Sequence, residues 1–143
     1  MKVSGRSPGA RHVRSGASAV ELALIAPFFL TLVLGQIETS RMGMVSQLLT
    51  TAAREGCRVA VVNGSTLSGV QTRVNSILTP LGITPTTFTV TCTGSTSWQQ
   101  APMGTPVTVS LSVPYTQVSV LGSPFFLKNA VINSSATMSS ENP

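Results

Sequence analysis

No aspartate occurs in this sequence, and its one histidine is His12. A Ser-His-Asp set is therefore excluded, and the rest of the chain has no Cys-His pair. Metal-ligand spacing is also missing, so neither a metal nor a cofactor is expected. The acidic residues are Glu21, Glu38, Glu55 and Glu141, too far apart in sequence to read as a hydrolytic pair. Charged residues make up only 9% of the chain, against about a quarter in ordinary soluble domains. The formal charge of +5 is concentrated at one end, where Lys2, Arg6, Arg11 and Arg14 precede Gly16. Beyond that point the cations are scattered and nearly balanced by glutamates. No cationic cluster remains to meet a phosphate backbone, so nucleic acid is not expected as a partner. The composition points away from an enzyme and toward a membrane or an assembly.

What is present is a basic leader followed by an apolar run. Residues 1–16 are rich in Gly, Ser and Arg and are expected to lack structure. Residues 22–37 are uncharged, and as a helix they reach roughly 24 Å, short of a bilayer core of about 30 Å. Residues 17–37 reach roughly 31 Å and span it, provided Glu21 is neutralised, protonated or near the head groups. A carboxylate at a helix centre in lipid costs about 2.5–3.5 kcal/mol, so Glu21 calls for a reason. The leader's cations place the N-terminus in the cytoplasm and everything after residue 38 outside. Pro27, inside the run, removes one backbone hydrogen bond and predicts a helix kink. Val33-Leu34-Gly35 offers an alternative: a weak secretory cleavage site at the far end of the run.

Helical composition continues to residue 62. Val45, Leu48, Leu49, Ala52, Ala53, Gly56 and Ala60 share one face, which narrows from large to small side chains. Glu38 with Arg41, and Glu55 with Arg58, are i, i+3 pairs expected on a solvated face. Asn63-Gly64 ends the helix. Ser68-Gly69-Val70-Gln71 reads as a capping box opening a short helix, 68–79, with Val70, Val74, Ile77, Leu78 and Leu81 inward. The period then changes to two, predicting strands near 86–93, 107–113 and 130–138. Their single apolar face requires a cover, which the long helix supplies. Cys57 on the helix and Cys92 on the first strand are either a helix-to-sheet disulfide or two separate thiols. Trp98, Tyr115, Phe125 and Phe126 lie in or beside the connecting loops. The fold class expected is α+β: a long N-terminal membrane-spanning helix (17–62) packed on a small extracytoplasmic head (63–143) with an antiparallel sheet.

These pieces carry a resemblance. Ser15-Gly16-Ala17-Ser18-Ala19-Val20-Glu21 with the apolar run resembles the class III, or type IV prepilin, signal. More narrowly, Gly16 through Leu24, Pro27, Gly35-Gln36-Ile37-Glu38 with Arg41, and Ala52-Ala53-Arg54-Glu55-Gly56 are similar to TadE-like pseudopilins of tight-adherence (Tad) pilus systems. The strand over 107–115 and Ser123-Pro124-Phe125-Phe126-Leu127 look like that family's C-terminal part. The resemblance implies a pilin-like fold and no catalytic activity. It implies cleavage of the leader by prepilin peptidase between Gly16 and Ala17, with methylation of the new N-terminus. Glu21 would then be the fifth residue, neutralising a neighbouring subunit's terminal amine during assembly. The implied role is a minor pilin or pseudopilin of an adhesion or secretion apparatus. Its implied partners are prepilin peptidase, other pilin and pseudopilin subunits, the inner-membrane assembly platform, and lipid before assembly. The implied location is the bacterial inner membrane, then a cell-surface pilus. The alternative is an uncleaved single-pass protein presenting a small binding head.

Overall fold

The computed structural model describes residues 12–94, 97–120, 122 and 127–141. Of the segments singled out above, most of the leader and Ser123-Pro124-Phe125-Phe126 lie outside the described residues. The chain divides into two units, Met1–Ile37 and Glu38–Pro143.

One helix, α1 (His12–Ala60), runs through the boundary in sequence. It begins four residues before Gly16, inside the leader expected to lack structure. It ends at Ala60, two residues before the predicted end. Gly64 at φ 76° takes the turn there, and the Ser65 hydroxyl donates to the Ala60 carbonyl (3.0 Å). In the first unit α1 carries the apolar run. Helix formation persists through Pro27, and the Thr31 hydroxyl donates back to the Pro27 carbonyl at 2.8 Å.

The second unit packs residues 38–60 of α1 and a short helix, α2 (Leu67–Leu78), with a three-stranded sheet. The strands β1 (Thr87–Cys92), β2 (Pro106–Pro114) and β3 (Val131–Ser139) lie in the order β1-β2-β3, antiparallel throughout. The predicted alternation holds. Val107, Val109, Leu111 and Val113 of central β2 are all buried, while Thr108, Ser110 and Ser112 are half-exposed on the other face. Against the apolar face stand Val45, Leu49, Ala52, Ala53 and Cys57 from α1, with Val70, Val74 and Leu78 from α2. The small-residue end of the α1 stripe allows a close approach at Gly56. A Cβ there would lie 2.7 Å from Val74 Cγ2, so α2 sits where no side chain fits.

Two local expectations are corrected. The cap of α2 is Thr66, not Ser68: its hydroxyl oxygen accepts from the Gly69 N–H at 3.2 Å. Leu81 does not belong to the buried side of α2. Pro80 opens a 3-10 turn over Thr79–Leu81, Gly82 closes it at φ 69°, and Leu81 is left exposed.

Candidate functional site

The first candidate site is the apolar half of α1. An 18-residue window in the helix has a mean hydropathy of 2.1, and none of it is buried. Phe28 is 80% exposed and Leu22 67%, with Leu24, Ile25, Phe29 and Leu32 close behind. Soluble monomers do not display a contiguous apolar surface of this kind, so this is an interaction surface or a membrane span. Gly16, Ala17 and Glu21 stand exposed on the same helix, at the N-terminal end of the run. Glu21 has no ion-pair partner among the described residues. Its four-residue separation from Ala17 is about one helical turn.

The second site begins where that run ends. Glu38 is 6% exposed, although sequence places it on a solvated face. Two side chains from the connection after β2 meet its carboxyl group. The Tyr115 hydroxyl meets both the Glu38 backbone carbonyl, at 2.9 Å, and Glu38 Oε2. The Ser119 hydroxyl donates to Oε1 at 3.0 Å. Arg41 donates from Nε to the Val118 carbonyl at 3.2 Å. Three side chains thus tie the connection after β2 to α1 next to the apolar run. Burial, and then the carboxylate of Glu38, push the Tyr115 phenol up to about 12. Sequence reasoning missed this site. The available signal was parity: Tyr115 continues the inward series Val107, Val109, Leu111, Val113.

Glu55 behaves as expected and gains a partner. Arg58 lies 3.3 Å away on the same helix, and Arg73 reaches from α2 to 2.8 Å. These are exposed charges and contribute little to stability. Of the two alternatives for Cys57 and Cys92, the structure has two thiols. Cys57 is fully buried and its Sγ donates to the Val107 carbonyl at 3.3 Å. Cys92 is the β1 partner of the same Val107. Trp98 packs half-buried against the core.

No curated protein and no solved structure matches the chain. A family model does match, over residues 16–58, a segment that begins at the Gly16–Ala17 bond and includes Glu21, Glu38 and Gly56. The long apolar helix and small antiparallel sheet form an α+β, pilin-like fold in keeping with that match. Over this segment, about a third of its length, the chain is similar to proteins described as TadE-like.

Proposed function

We propose that the chain is a minor pilin or pseudopilin of a Tad-type pilus or secretion apparatus, made as a precursor and cut by prepilin peptidase between Gly16 and Ala17. The observation that supports this reading is the spacing of Gly16 and Glu21 at the head of an apolar helical run, none of whose most apolar window is buried. Before assembly the apolar run lies in the bacterial inner membrane, with the leader cytoplasmic and the head outside. Cleavage leaves Ala17 with a free terminal amine, a group that carries positive charge when protonated. Glu21 of a neighbouring subunit supplies its counter-charge, and a buried carboxylate is tolerable when paired in this way. The partners are prepilin peptidase, the assembly platform and other pilins. No catalytic role is assigned to the chain.

Cleavage within a helical turn requires that turn to open. Gly16 favours this, because glycine weakens a helix by roughly 0.5–1 kcal/mol relative to alanine. The test is N-terminal sequencing after co-expression with the peptidase. A first residue of Ala17 is expected, and Gly16→Val should leave Met1 intact. Retention of the leader in assembled fibres would favour the uncleaved single-pass reading instead. Glu21→Ala should insert in the membrane yet fail to enter fibres. Undiminished incorporation would remove the role given to Glu21.

A further inference from the structure

Residues 38–143 carry five cations, and two of them converge on one place. Arg58 on α1 and Arg73 on α2 both bond to Glu55, through Nη1 at 3.3 Å and through Nη2 at 2.8 Å. The guanidiniums come from different helices, so it is the fold that brings them together. They line an open cavity of about 480 Å³ between the end of α1, the turn after it and α2. Val59 and Val62 are its apolar lining, and the exposed Asn63 lines it as well.

Glu55 leaves most of this donor capacity unused. A guanidinium has five N–H groups, and Glu55 engages one nitrogen of each arginine. The carboxyl also holds both side chains in position, so a ligand does not have to supply their ordering. The bond from Arg73, and then Arg58, holds the Glu55 carboxyl below its usual range, so it keeps its charge at neutral pH. Two cations and one anion leave a single positive charge at the cavity. That matches a carboxylate better than a doubly charged phosphate. The cavity is also wider than one carboxylate needs. Val62 is 52% exposed, and a small free anion would leave it bare.

We propose that this cavity binds a carboxylate carried on a protein segment, an Asp or Glu with an aliphatic neighbour. Arg58 and Arg73 hold the carboxylate, and the neighbour lies against Val59 and Val62. Glu55 is a positioning residue that fixes the two arginines and sets the local charge. Every residue involved lies in the second unit, so the proposal does not depend on the reading of the chain as a pilin.

The arginine side-chain N–H resonances of the full chain, in a non-ionic detergent at neutral pH, test it. Arg58→Lys and Arg73→Lys assign the two signals. The probes are the capped peptides acetyl-Leu-Glu-Leu-amide and acetyl-Leu-Gln-Leu-amide, acetate, and inorganic phosphate. The Glu peptide should shift both signals saturably and leave that of Arg54, outside the cavity lining, in place. The Gln peptide should shift neither, and acetate and phosphate should bind more weakly than the Glu peptide. Arg58→Gln and Arg73→Gln should each weaken the Glu peptide about tenfold. Both side chains are exposed, so wild-type folding is expected and is checked by thermal unfolding. Val62→Ser should weaken the peptide while leaving acetate unchanged. Glu55→Gln removes the negative charge and should turn the preference toward phosphate. An equal response to the Gln peptide, no saturable shift with the Glu peptide, or a tighter hold on phosphate by the wild type would each overturn the proposal. Acetate binding as tight as that of the Glu peptide would overturn the assignment to a protein segment.

Discussion

The hydroxyl of Tyr115 reaches across 77 positions of sequence to the backbone carbonyl of Glu38, at 2.9 Å, and to its carboxyl group. Glu38 is the first residue of the second unit, directly after the apolar run. The contact fixes the connection after β2 to α1 at that point, with Ser119 and Arg41 adding one bond each. Removing the hydroxyl leaves a buried carboxyl short of a partner, which costs about 1–3 kcal/mol. Tyr115→Phe should therefore lower the unfolding midpoint by about 4–8 °C per kcal/mol lost. Thr116→Ala, at the exposed neighbouring position, serves as control and should change little. Circular dichroism of the purified chain in detergent measures both. Equal midpoints would show that the contact does not hold the connection in place.

The same contact sets an alkaline limit. The Tyr115 phenol is pushed up to about 12, from an unfolded value near 10. In the window between these values the unfolded chain loses a proton that the folded chain keeps. Stability from this group is therefore complete below about pH 10 and falls as pH rises toward 12. Tyr115 is the only tyrosine, so near-ultraviolet absorbance reports it alone. Its ionisation should lag that of a free tyrosine and coincide with unfolding. Tyr115→Phe should remove this share of the alkaline instability. Ionisation near pH 10 with the fold intact would contradict the buried environment.

The elements legible in the sequence are those fixed by local spacing. The stripe from Val45 to Ala60 was visible because helical neighbours recur every three or four positions. The β2 strand was visible because Val107 to Val113 alternate with Thr and Ser. Errors arose where two local signals competed. Thr66 and Ser68 are both cap-type residues, and only the backbone path decides between them. Leu81 fits the α2 periodicity, but Pro80 takes the chain out of it. The Glu38 site was invisible for a different reason. An i, i+3 pair with Arg41 is the only partner that local spacing offers a glutamate there, and only the fold brings Tyr115 and Ser119 to its carboxyl group. The Gly16–Glu21 spacing is local, so it can be read in the sequence without the fold.

The two thiols should differ sharply in reactivity. Cys57 is fully buried and bonded to the Val107 carbonyl, while Cys92, on edge strand β1, is only partly buried. An alkylating reagent added to the folded chain should modify Cys92 first. Cys57 should react only as the chain unfolds, because access then requires α1 to leave the sheet. Peptide mass spectrometry without reduction should find the two cysteines unlinked. A Cys57–Cys92 peptide pair recovered from native material would show that the cell oxidises them. Equal alkylation of both would show that α1 does not seal the core at that position.

Gly56 gives the sharpest test of how α1 and α2 pack. A Cβ at this position would lie 2.7 Å from Val74 Cγ2, 3.5 Å from Val70 Cγ1 and 3.6 Å from Val109 Cγ1. Valine is stiff about χ1, so the clash cannot be relieved by a small rotation and α2 must shift. Overpacking of this kind costs about 1–3 kcal/mol, against a gain of about 1 kcal/mol from replacing a helical glycine. The closeness of the Val74 contact favours the upper part of that range, so Gly56→Ala should lose about 1–2 kcal/mol net. Gly43→Ala is the matched control. It lies on the same helix with nothing within 4 Å of its Cβ, and should gain up to about 1 kcal/mol. Adding Val74→Ala removes the clashing methyls, so Gly56→Ala should cost less in that background than in the wild type. Denaturant unfolding of the four variants completes the cycle. If Gly56→Ala proves as stable as Gly43→Ala, then α2 does not approach α1 as closely as 2.7 Å implies.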